Sequence, residues 1–65
     1  MLTSNVKKIM EERRVTIRAM NEATGLSLET IARARKDRIN LCRLNTLETM
    51  AEFLGCKVKD LFDEV

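Results

Sequence analysis

The twenty residues from Thr16 to Arg35, TIRAMNEATGLSLETIARAR, hold two helical apolar patterns interrupted by a single glycine. Ile17, Met20 and Thr24 fall at i, i+3 and i+7 on one face, with Ala23 beside it, and Thr16 stands where an N-cap is needed. These residues predict a helix of about two turns. Gly25 follows where the chain must leave that helix, and glycine enters the left-handed C-cap conformation without the steric cost of a Cβ. Ser27 then offers an oxygen to the next free amides, Glu29 puts negative charge in a first turn, and Ile31, Ala34 and Arg35 continue one side. A second helix is expected to start at once.

The same reading extends to the rest of the chain. Val6, Ile9 and Met10 make a helical apolar edge with Leu2 one turn earlier, and Ser4 or Asn5 can cap it. Leu44, Leu47, Met50, Ala51 and Leu54 repeat at three and four and are closed by Gly55. Val58, Leu61 and Phe62 form a last apolar edge of about two turns, before Asp63, Glu64 and Val65. The expectation is therefore all-α: five helices in one domain, 1–65, with the stretch from Asp37 to Arg43 as its one substantial irregular connection. No strand-like alternation persists for more than a few residues, and there is no proline, repeat or low-complexity run.

Sixty-five residues lie near the lower size at which a core holds without disulfides or metal, and Phe53 and Phe62 are the only aromatics among 45% apolar residues. An aliphatic core follows, with Met10, Met20 and Met50 as its filler. Catalysis is not expected, because the chain has no histidine and shows no nucleophile paired with a base. Two cysteines without histidine cannot complete a four-ligand zinc site in one subunit. Cys42 and Cys56 read as reduced thiols, one in a loop and one as a small core residue, and no metal, cofactor or small-molecule ligand is implied. No segment approaches membrane-span length, so the expected setting is soluble and cytoplasmic, with no membrane partner.

Net charge is only +2, yet it is unevenly placed. Residues 1 to 43 carry ten basic and five acidic side chains, whereas residues 44 to 65 carry Lys57 and Lys59 against Glu48, Glu52, Asp60, Asp63 and Glu64. A local +5 beside a local −3 orients encounter with a polyanion, although a solvated mixed-charge surface produces the same count. Helix, glycine turn and capped helix is also the layout of a DNA-reading helix-turn-helix.

The chain resembles the Cro and lambda-repressor-like helix-turn-helix regulators. Thr16, Met20, Gly25, Leu26, Ser27, Thr30 and Ile31 carry the likeness in the motif. Leu44, Thr46, Leu47, Ala51, Leu54, Gly55, Val58, Asp60, Leu61 and Phe62 carry it through the tail LNTLETMAEFLGCKVKDLF. The resemblance implies a five-helix bundle with helix 3 in the major groove of double-stranded DNA, used by a repressor or Cro-like switch. It further implies a two-fold dimer on half-sites ~34 Å apart, here weak or DNA-assisted, because no dimerisation domain is present. Departures are Ile17 and Asn21, where the family often has glutamine and alanine, and the absence of glycine after helix 3.

With Ile31 and Ala34 inward, the 100° step per residue turns Glu29, Ala32, Arg33 and Lys36 outward, flanked by Thr30. Arg33 is the first candidate for a base contact, since its fork matches guanine O6 and N7, but Glu29 four residues earlier can also hold it along the helix. Glu29 itself suits either cytosine N4 or that bracing role. Leu28, Thr30 and Ala32 complete the base-contact set, Leu28 and Thr30 able to touch thymine methyls or to serve the fold. Phosphate contacts are assigned to Arg18, Ser27, Arg35, Lys36, Arg38, Asn40 and Arg43, which would fix register without reading sequence. The competing reading is a protein-interaction module of antitoxin or antirepressor type, holding a partner with helices 4 and 5 and the acidic tail.

Overall fold

The computed structural model describes residues 1–65. Four α-helices form as the spacing predicts: α1 over Val6–Glu12, α2 over Ile17–Thr24, α3 over Leu28–Ala34 and α4 over Leu44–Leu54. They converge on one continuous core of eleven apolar residues, into which every helix contributes and no polar side chain intrudes. Met10, Met20 and Met50 are all fully buried there beside Ile31, Ile39 and Leu61. Unbranched thioethers fill the gaps between short helices that a rigid aromatic ring would not fit. Phe53, on α4, stays 39% exposed.

The fifth helix is not present, and the fold is not all-α. Val58–Asp60 makes a single 3₁₀ turn, and Phe62–Glu64 then runs as a strand, β2, antiparallel to β1 at Leu2–Ser4. The register pairs Leu2 with Glu64, Thr3 with Asp63 and Ser4 with Phe62. Leu2, expected one turn ahead of helix 1, therefore lies in a strand. The local cause is visible in the hydrogen bonds. The Asp60 carboxylate accepts from the Lys57 amide at 3.0 Å, which closes the turn on itself. The Leu61 carbonyl, instead of continuing a helix, accepts from the Asn5 amide at 2.8 Å.

Asn5 precedes α1 without capping it by its side chain. Ser4 supplies the oxygen instead, accepting from the Val6 amide at 3.2 Å while its hydroxyl donates to the Ala34 carbonyl at the end of α3. The start of α1 and the end of α3 are thereby tied to one side chain. At its other end α1 closes in a Schellman arrangement, with Val15 N–H donating to Met10 C=O at 2.8 Å and Arg14 N–H to Glu11 C=O at 3.2 Å. The left-handed residue is Arg14, at φ 56°, where glycine is usual.

Candidate nucleic-acid interface

The turn between α2 and α3 is fixed by three local devices. Gly25 adopts φ 78°, and no heavy atom lies within 4 Å of where its Cβ would stand, so backbone conformation and not space requires glycine there. Thr24 donates its hydroxyl to the Met20 carbonyl at 2.6 Å and accepts from the Leu26 amide at 3.2 Å. Asn21 donates to the Leu26 carbonyl at 2.6 Å, so its side chain locks the turn. Both helices carry the expected caps: Thr16 accepts from the Ala19 amide at 3.0 Å and Ser27 from the Thr30 amide at 3.1 Å.

These devices set the aim of α3. Ile31 and Ala34 are fully buried, which leaves the opposite side facing outward. Glu29 and Leu28 are exposed, Leu28 at 52%, whereas Thr30, Ala32 and Arg33 are half-buried. Ser27 donates its hydroxyl to Thr30 Oγ1 at 2.8 Å, so both polar groups are engaged locally. Arg33 Nη2 lies 3.3 Å from Glu29 Oε1, the one ion pair in the chain, with Glu29 84% exposed. The carboxylate braces the guanidinium along the helix, and an exposed pair of this spacing contributes only about 0.3–0.5 kcal/mol. That is small enough for a base edge to displace it.

The segment after α3 is more ordered than expected. Ile39, within the stretch assigned to an irregular connection, is 1% exposed and heads a 3₁₀ turn over Ile39–Leu41. Successive amide bonds, Leu41 to the Arg38 carbonyl at 2.9 Å and Cys42 to the Ile39 carbonyl at 3.0 Å, hold its shape without glycine. Arg38, Asn40 and Arg43 are exposed around this anchored turn, and Arg43 leads into α4 with no side-chain cap on its first amides. Arg18 is exposed on the first turn of α2, Ser27 and Lys36 are exposed, and Arg35 is half-buried.

A helix-turn-helix built in this way, on a chain whose tail also packs into the same core, is matched along its length by a family described as the Cro/C1-type HTH DNA-binding domain, over residues 5–65. The chain belongs to the Cro/C1-type helix-turn-helix DNA-binding family. No curated protein and no solved structure matches it. Membership makes this Cro/C1-type chain a DNA-binding domain associated with transcription regulation. No helix of it is long and apolar enough to cross a membrane.

The fold also gathers a residue that the spacing did not single out. Lys7 on α1 lines a cleft with Ile17, Ala32, Arg35 and Lys36, bringing a cation from before the motif together with two from its end. Nothing local marks Lys7, because its partners lie ten and more residues away in the chain. The two thiols are free and half-buried, and burial raises both above the usual thiol range. For Cys42 the nearby Arg33 charge opposes that rise, whereas for Cys56 the Asp60 carboxylate adds to it and Arg13 opposes it.

Proposed function

We propose that this Cro/C1-type domain is a sequence-specific regulator, a repressor or Cro-like switch, that reads duplex DNA by laying α3 in the major groove. The observation that carries this reading is the outward side of a capped, braced α3. It presents Arg33, Glu29, Leu28, Thr30 and Ala32, while the cations at its end and on the anchored turn after it flank that surface. Arg33 is the base reader. It exchanges the Glu29 carboxylate for guanine O6 and N7, a pairing that discriminates by about 1–3 kcal/mol. Arg18, Ser27, Arg35, Lys36, Arg38, Asn40 and Arg43 hold phosphates and set the register. Two copies bind as a weak or DNA-assisted two-fold dimer on half-sites ~34 Å apart.

The interaction-module reading loses part of its surface. There is no fifth helix to present, and the Asp63 carboxylate of the acidic tail already accepts from Asn5 Nδ2 at 3.0 Å. Selection from random duplexes, followed by mobility shift across a salt series, tests the proposal. A palindromic consensus, affinity that falls with salt, and loss of preference at one base position in Arg33→Ala are expected. Salt-independent affinity, or an Arg33→Ala variant that weakens all sequences equally, would overturn it.

A further inference from the structure

The cleft between α1, α2 and the end of α3 is lined by Lys7, Ile17, Ala32, Arg35 and Lys36. Its three charged residues are all cations and none of them is in an ion pair, the one pair of the chain being Glu29 with Arg33. Arg35 is the unusual member. Its Nε is shielded from solvent and has no hydrogen-bond partner, while the residue as a whole is half-buried. A half-buried guanidinium left without an ion-pair partner is less screened than one in open solvent, so an anion beside it gains somewhat more than on an open surface. Ile17 and Ala32 supply the apolar part of the cleft's lining beside these cations. Ala32 also belongs to the outward side of α3, so the cleft adjoins the proposed base-reading surface.

From these features we infer that the cleft is a phosphate-binding site in which Lys7, on α1 and outside the helix-turn-helix, grips a backbone phosphodiester of the duplex together with Arg35 and Lys36. The inference rests on the duplex-binding reading above. It assigns to α1 a share of the backbone grip at the point where α2 begins with the apolar Ile17, whose side chain offers a phosphate no donor. Lys7 is exposed, so replacing it leaves the core intact.

The test compares Lys7→Ala with Lys8→Ala. Lys8 is the neighbouring exposed lysine on the same helix and lines a different groove, with Glu12, Asp60 and Asp63. Both remove one positive charge, so a general field effect lowers affinity equally in the two. Lys7→Ala should weaken every duplex about five- to tenfold and lower the slope of log affinity against log salt by about 0.9, without altering base preference. Lys7→Arg should restore both, and Lys8→Ala should change the slope by much less. Equal effects of the two alanine variants overturn the inference while leaving the Arg33 reading standing. Absence of duplex binding by the parent chain overturns both. Inorganic phosphate titrated by NMR at constant ionic strength separates a free anion from a diester. Saturation at Lys7 and Arg35 in the low millimolar range, with the duplex salt slope unchanged in Lys7→Ala, would make the occupant free phosphate and overturn the assignment to DNA.

Discussion

Asn21 shows how one side chain holds a binding surface it does not belong to. Its Nδ2 donates at 2.6 Å to the Leu26 carbonyl, in the turn that decides where α3 begins. Alanine there would pack without strain but leave that half-buried carbonyl without its partner. The expected cost of Asn21→Ala is about 1 kcal/mol, which for a domain of this size lowers Tm by roughly 4–8 °C in a thermal melt. An unchanged Tm would mean that the turn holds without the bond. Arg33 poses the opposite case, since its neighbour at i−4 was legible from spacing alone and the 3.3 Å pair follows. The role of Asn21 was not legible in this way, because its bond is to the carbonyl of a residue five positions on, whose direction depends on the turn.

At the scale of elements, the chain ends two helices with left-handed residues in Schellman geometry and fills only one of those positions with glycine. Gly55 closes α4 at φ 74°, with Cys56 N–H donating to the Ala51 carbonyl at 2.9 Å, and Arg14 closes α1 at φ 56°. Substitutions at the two sites should therefore move stability in opposite directions. Gly55→Ala costs about 1 kcal/mol through its φ, since the closest atom a Cβ would meet is Arg13 Nη1 at 3.4 Å, the end of a flexible side chain. Arg14→Gly relieves strain of about 1–2 kcal/mol and loses part of it to the freer unfolded chain, for a net gain of roughly 0.5 kcal/mol. Denaturant midpoints that shift the same way in both variants would contradict this account. The helices themselves were legible because their signals are local: Thr16 and Ser27 capped as expected, and Gly25 and Gly55 ended α2 and α4. The strands were not legible, because three residues are too few to show alternation and each pairs with a partner about sixty positions away. A shorter separation, ten to twenty-nine positions from Lys7 to the other residues of its cleft, likewise hid Lys7 from any reading along the chain.

For the whole molecule, the terminal sheet replaces the missing fifth helix as the closure of the core. Leu61 is fully buried just before β2, and Phe62 packs against the core from the strand itself. Removing residues 62 to 65 should take away the sheet bonds and the partner side chains of β1, and uncover part of Leu61. A loss of about 2–3 kcal/mol, read from chemical denaturation, is expected from the apolar area and hydrogen bonds together. A truncated chain as stable as the parent would show the sheet to be a passive ornament of the helices.

The pairing of β1 with β2 brings the Val65 amide to within 2.8 Å of the Met1 carbonyl. Whatever polypeptide is joined to either end thus departs from one corner of the domain. The unit can be inserted into a surface loop of another protein with both linkers short, or circularly permuted by joining its ends and opening it between helices, for instance beside Asp37.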